Sequence, residues 1–156
     1  MRTYKLAEYR LLPETTGIYS IVNTRNGKIY IGGTQDKKGF KSRFSKHFNL
    51  LHQDKHNCIP LQRAFNAYGL DGFEVWILEE CEASKVLFFE QYYFDTWEPW
   101  ADNDAGYNLC RVAGSTKHFA KSEETELCSF LVYGGERRKG VSCWMKQTTR
   151  PGIHHE

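Results

Sequence analysis

Five side chains have types and surroundings suited to handling protons and anions. Tyr19 and Tyr30 sit on the two arms of "GIYSIVNTRNGKIYIGG", residues 17–33, with ten residues and a tight-turn signal between them. Arg43 and His47 follow in "FKSRFSKHFNLLH", spaced i and i+4, so a helix there carries both on one face. Glu90 lies in the middle of "ASKVLFFEQYYFDTW", a segment apolar almost all round. Burying an unpaired carboxylate costs several kcal/mol or shifts its pKa, so Glu90 requires a cation, a proton or hydrogen-bond donors.

The elements that must position these groups follow from periodicity. Asn26-Gly27 suits the positive φ angles of a type I′ turn and is flanked by the β-branched runs "GIYSIVN" and "KIYI", which predicts a hairpin. A two-residue loop sets Arg25 opposite Lys28, Asn23 opposite Tyr30 and Val22 opposite Ile31. Alternation then places Ile18, Val22, Ile29 and Ile31 on a core face, and Tyr19, Ile21, Asn23 and Tyr30 on the other. In that register Tyr19 is four residues from Tyr30's partner, roughly 13 Å along the strand at about 3.3 Å per residue. Shared work by the two phenols therefore requires a longer loop, a bulge or strong twist.

Phe40, Phe44, Phe48 and Leu51 recur at helical spacing. A second helix opens at Pro60, buries Leu61, Ala64, Phe65 and Tyr68, and stops at Gly69. "GFEVWILEE" reads as a central strand pairing with the hairpin, since Val75, Trp76, Ile77 and Leu78 are all apolar.

The 156 residues fit one domain with an appendage, and 40% hydrophobic content supports a real core. No apolar run reaches the roughly 18 residues of a membrane span, and no secretion signal opens the chain, so an intracellular protein, cytoplasmic or in an organellar matrix, is expected. The five cysteines are odd in number and never in a C-x-x-C pair, which argues for free thiols over a disulfide framework or zinc knuckle. Residues 1–60 carry eleven Lys/Arg against four Asp/Glu, whereas residues 71–104 carry one base and ten acids. The basic front suits a polyanion, with the acidic segment facing away from it or holding a cation.

Taken in order, "GIY" (Gly17, Ile18, Tyr19), "YIG" (Tyr30, Ile31, Gly32), "R-x-x-x-H" (Arg43, His47), "FEQYYFD" around Glu90 and Asn108 in "GYN" resemble the GIY-YIG nuclease family over about residues 15–112. The resemblance implies an α/β (α+β) fold, a small three-stranded antiparallel sheet flanked by helices, with residues 1–14 as an N-terminal extension, residues 15–112 as the nuclease domain, and residues 113–156 as a linker or incomplete DNA-binding tail forming a loosely structured C-terminal appendage. It implies a double-stranded DNA endonuclease using one divalent metal, Mg²⁺ or Mn²⁺, held by Glu90. A single carboxylate is enough for an ion that keeps several waters and contacts substrate phosphate. Arg43 offers a planar donor fork for the scissile phosphate. Tyr19 takes the role of base with Tyr30 as partner, although a phenol of pKa about 10 needs cations to lower it. His47 either assists proton transfer or touches phosphate, against the plainer role of a partly exposed capping or stacking histidine. Asn108 is expected to hold the metal-bound water or a tyrosine. Lys28, Lys37, Lys38, Lys41 and Lys46 read as phosphate contacts, which position DNA without reading sequence.

Downstream, "AGSTKHFAKSEETE" resembles the opening of a short DNA-binding repeat of homing endonucleases, but the basic helix that should follow is missing. Only the cluster Arg137, Arg138 and Lys139 remains to track phosphates. That departure implies either cleavage with little selectivity or dependence on a targeting partner. A restriction- or repair-type nuclease would share the same site, and an inactive DNA-binding remnant would have no need of Glu90.

Overall fold

The computed structural model describes residues 1–114. The tail with Arg137, Arg138 and Lys139 lies outside the described residues. Seven main elements follow in order: β1 (Arg2–Lys5), β2 (Gly17–Asn23), β3 (Ile29–Thr34), α1 (Gly39–His52), α2 (Ile59–Tyr68), β4 (Phe73–Glu80) and α3 (Val86–Trp97). The strands form one antiparallel sheet in the order β1-β4-β2-β3.

The hairpin differs from the two-residue turn the sequence suggests. Asn23 Oδ1 accepts the Arg25 N–H at 2.9 Å, so the turn begins early, and Gly27 N–H closes it onto the Asn23 carbonyl at 2.8 Å with φ +73°. Thr24–Gly27 thus becomes the loop, Val22 pairs with Ile29, Ile21 with Tyr30, and Tyr19 with Gly32. The slip is two residues, an even number, so every side chain keeps its face. It also makes Tyr19 and Tyr30 diagonal neighbours, roughly 7–8 Å apart instead of 13 Å.

Helices cover both faces of β2, which is buried from end to end. The tyrosine face is therefore not a wet counterpart to a core face; it is the larger core. Tyr19 and Ile21 pack there with Phe73, Val75 and Ile77 of β4, Phe40, Phe44 and Leu51 of α1, and Leu61, Ala64 and Phe65 of α2. On the opposite face α3 comes so close that a methyl added at Gly33 would lie 2.6 Å from Val86 Cγ1. Pro60 and Gly69 (φ +70°) bound α2 as expected.

The three-stranded sheet becomes four-stranded because Arg2–Lys5 pairs with β4, with Arg2 opposite Ile77 and Lys5 opposite Glu74. This strand is exposed and charged, as suits an edge that must not recruit another chain. The 3-10 segment Leu6–Leu11 and the residue after it then bury Leu6 (0% exposed) and Leu12 (3%) in the shared core. Residues 13–15 also cap α1: no side chain does so, and the Phe40 and Lys41 N–H groups instead donate to the carbonyls of Thr15 (3.1 Å) and Pro13 (3.3 Å). Among the described residues no helix is long and apolar enough to cross a membrane.

Because Leu6 fills core space, Leu6→Ala is expected to lower unfolding free energy by about 2–5 kcal/mol in urea denaturation. A change below about 0.5 kcal/mol, the scale of an exposed position, would show residues 1–14 to be energetically separate from the sheet.

Candidate active site

Tyr19 is the centre of the arrangement. Its ring lies across the backbone of the residue opposite: a methyl at Gly32 would come within 2.6 Å of Tyr19 Oη and 2.8 Å of Cζ. Glycine at that position leaves room for the crossing. The ring is fully buried, edge-on to Phe44 at 4.6 Å between centroids. Its hydroxyl thereby reaches successive turns of α1, where Arg43 Nε–H donates to it at 3.0 Å and His47 Nε2 lies 2.6 Å away.

A chain of hydrogen bonds continues behind His47. His47 Nδ1 lies 2.7 Å from His56 Nε2, and His56 Nδ1 accepts the backbone N–H of Cys58 at 3.1 Å. The backbone donor has only one possible direction, and it assigns the tautomers of both rings when they are neutral. His56 must carry its proton on Nε2 and donate to His47 Nδ1; His47 must carry its own on Nε2 and donate to Tyr19. Burial supports neutrality, pushing His47 well below its usual pKa with Arg43 and His56 adding to the effect, and pushing His56 down to about 4. The Tyr19 oxygen consequently accepts two hydrogen bonds, and its own proton is left for a third partner. Burial raises the phenol's pKa while Arg43 pulls it back.

His47 is thus not a partly exposed capping or stacking histidine; it is 5% exposed and faces Tyr19. His56 was not singled out by the sequence. It stands in the loop "DKHNCIP", nine residues after His47 and across a helix end, so no periodicity links them. Tyr30 stands edge-on to both imidazoles, at 5.8 and 6.3 Å. Among the described residues its hydroxyl has no hydrogen-bond partner. Arg43 uses only Nε inside the protein, and its two terminal nitrogens have no partner among the described residues. They remain available to an anion.

The outer edge of β3 organises the remaining two groups. Its alternate N–H groups point away from β2: Ile31 N–H donates to Asn108 Oδ1 at 2.8 Å, and the Gly33 N–H is turned toward Glu90 and favours its charged form. Asn108 returns its Nδ2–H to the Ile31 carbonyl at 2.8 Å. Its carboxamide therefore acts as one more unit of strand, which corrects the expectation that it holds a metal-bound water or a tyrosine. Glu90 receives a second donor, Gly114 N–H, at 3.1 Å on Oε2. Burial raises its pKa, and the two N–H groups and then Arg43 oppose the rise. The need for donors foreseen for this carboxylate is met by backbone.

The donor set bears on any metal. Among the described residues no group of three His, Cys, Asp or Glu side chains comes together, and the one oriented carboxylate is hard oxygen. Such a site fits a hydrated Mg²⁺ or Mn²⁺ and does not fit zinc. The lysines are dispersed. Lys28, Lys41 and Lys46 pair with Asp104, Glu14 (3.2 Å) and Asp36 (3.8 Å). Lys38 and Lys41 line a cleft of about 700 Å³ with Arg10, Glu14, Ser42 and Ser45. Lys41 precedes Arg43 by two residues, roughly 200° around α1, so the two point to different sides of the helix.

The histidine pair generates a pH dependence. Both folded pKa values lie below the usual 6.5 of a free imidazole. On acidification the unfolded chain takes up protons first, so the stability due to neutrality is complete above about pH 6.5 and is lost as pH falls. For His56 the loss runs to about pH 4 and amounts to roughly 3 kcal/mol. Urea unfolding at about pH 7.5 and about pH 5 is expected to show this fall, and His56→Gln to flatten it.

Comparison with known proteins agrees with this geometry. The GIY-YIG catalytic domain model matches residues 15–108. Intron-associated endonuclease 1 of Enterobacteria phage T4 is 43% identical over 136 residues, covering 81% of this chain and 53% of that protein. Probable intron-encoded endonuclease 1 of Neurospora crassa is 32% identical over 120 residues, covering 75% and 37%. The chain thus spans about half the length of the phage relative and less of the fungal one. A mutant form of the catalytic domain of intron endonuclease I-TevI superposes with a TM-score of 0.55 at 32% identity, covering 65% of this chain and 99% of that structure. A second structure of the same domain gives 0.52 at 34%, covering 61% and 98%. The matched span runs from the strand that carries Tyr19 to Asn108 at the edge of β3, and this chain belongs to the family of GIY-YIG catalytic domains.

Proposed function

We propose that the chain is a divalent-metal-dependent DNA endonuclease of the homing type, hydrolysing phosphodiester bonds. The observation that carries this reading is the Tyr19 oxygen, buried and held by two donors, beside an arginine with free nitrogens and an oriented carboxylate. In-line attack on a phosphodiester needs an activated water and neutralisation of charge on the phosphoryl and leaving oxygens.

The free guanidinium nitrogens of Arg43 bind two non-bridging oxygens of the scissile phosphate, a bidentate contact a lysine would not reproduce. Tyr19 orients the attacking water and takes its proton. The phenolate it needs for that is stabilised by Arg43 Nε–H and His47 Nε2–H, both aimed at the oxygen before the reaction starts. The chain through His56 to the Cys58 N–H keeps His47 from rotating its donor away. Tyr30, with an unengaged hydroxyl on the same sheet face, holds the water from the other side. Glu90, its carboxylate oriented by backbone N–H, would hold Mg²⁺ or Mn²⁺, which when bound would supply Lewis-acid charge to the phosphate. Asn108 keeps β3, and so Tyr30 and the Gly33 N–H, in place.

An inactive DNA-binding protein would need neither the two-histidine chain nor an oriented Glu90. The names of the intron-associated and intron-encoded relatives favour the homing class over restriction or repair. Residues 15–112, completed by the strand, core residues and helix cap that residues 1–14 add, then form the nuclease domain, with residues 113–156 as a linker or DNA-binding tail, and targeting rests on that tail or on a partner. A homing role on DNA fits the intracellular location expected from the sequence.

Supercoiled-plasmid cleavage tests the reading. Wild type is expected to nick or linearise with Mg²⁺ or Mn²⁺ and to stop in EDTA. Glu90→Gln, Tyr19→Phe and Arg43→Ala are each expected to lose about 10²–10³-fold, with Arg43→Lys failing to restore activity. Activity should rise with pH above neutrality, since burial holds the Tyr19 phenol above its ordinary pKa. A wild-type protein that shifts DNA in a gel yet leaves the plasmid uncut in every metal would overturn the nuclease reading.

A further inference from the structure

We propose that Gln91 is a positioning residue for the metal-holding carboxylate: it clamps the backbone leaving the domain so that the Gly114 N–H is delivered to Glu90. The proposal rests on the reading of Glu90 as the metal ligand.

Glu90 and Gln91 are adjacent on α3, and both grip the same departing segment. The Gln91 carboxamide uses its two ends, Nε2–H donating to the Arg111 carbonyl at 3.1 Å and Oε1 accepting the Ala113 N–H at 3.0 Å. One residue further on, Gly114 N–H meets Glu90 Oε2 at 3.1 Å. The segment is fixed from its other side as well. Arg111 donates to Asp102 at 2.6 Å and lies 5.0 Å above the Trp100 ring. Gly114 itself sits at φ +70° with no room for a side chain, since a methyl would come within 2.7 Å of Leu87 Cδ2.

A glutamate has three side-chain torsions, and a free one spreads its carboxylate over several rotamers. Here one donor comes from the sheet edge at Gly33 and one from the exit segment at Gly114. A carboxylate offers about four lone-pair sites, so two remain for a cation once both N–H groups are engaged. Hydrogen-bonding partners of this kind, one shell out from a metal, are typically worth about 10–100-fold in metal affinity. The geometry makes Gln91 the group that keeps the Gly114 donor in register, acting through the backbone of Arg111 and Ala113.

Mn²⁺ titration followed by electron paramagnetic resonance, on the full chain without DNA, tests this. Gln91→Ala removes the clamp, and Ala113→Pro removes the N–H it accepts while leaving α3 unaltered. Asp95→Ala removes another partner of Gln91 Nε2, at 2.9 Å, without touching the segment. Both clamp variants are expected to raise the Mn²⁺ dissociation constant about 10-fold or more, with Asp95→Ala unchanged and the thermal midpoints of the metal-free proteins close together. Glu90→Gln separates the two levels. If it binds Mn²⁺ as wild type does, the metal reading of Glu90 fails and this proposal with it. If Glu90→Gln loses the ion while Gln91→Ala and Ala113→Pro bind it like wild type, the clamp is overturned and Glu90 stands. Weakening in Gln91→Ala alone would also overturn it, because the effect would then not pass through the Ala113 N–H.

Discussion

Two donors converge on one buried oxygen, and the rest of the domain is arranged to keep them there. Tyr19 can offer its hydroxyl to α1 only by laying its ring across Gly32, which requires the two strands to pair in one register and the facing residue to lack a side chain. Arg43 and His47 meet that hydroxyl because they are one helical turn apart and Phe40, Phe44 and Leu51 seat their helix on the same sheet face. His56 and the Cys58 amide then fix which nitrogen of His47 carries a proton. A backbone N–H, the least adjustable donor in a protein, thereby sets the protonation pattern of a site three side chains away.

The edge of β3 performs a second task. An unpaired strand edge is a hazard in most sheets, but here its outward N–H groups are taken up by Asn108 and Glu90. Placed at a rim, the Glu90 carboxylate on α3 comes within electrostatic reach of Arg43 and both phenols, although α1 and α3 pack on opposite faces. The same rim receives the segment that leaves the domain. Charge and topology coincide there.

Much of this was legible in the sequence because it depends on local rules. The Asn-Gly turn, the helical stripe Phe40-Phe44-Leu51, the Pro60 and Gly69 boundaries and the isolated Glu90 all carry their own signals. Register was not legible, since the Asx turn of Asn23 competes with the type I′ turn and moves the loop by two residues. Nor was the fourth strand: "RTYK" is short and polar, and only tertiary pairing with Ile77 and Glu74 makes it a strand. His56 escaped because loop residues meet their partners through the fold, not through spacing. Asn108 was found, but its role was misjudged because a carboxamide that extends a strand looks the same in sequence as one that binds a ligand.

The carbonyls of Pro13 and Thr15 at the start of α1 have a consequence for modular reuse. The helix bearing Arg43 and His47 borrows its N-terminal cap from chain that precedes the first motif strand, so the folded unit does not begin where its signature begins. Grafting this unit onto a new DNA-binding module at the front would place the splice in the scaffold of the reactive helix. Attachments belong on the far side of Gly114, and a minimal cassette cut at the motif boundary would leave α1 without its cap.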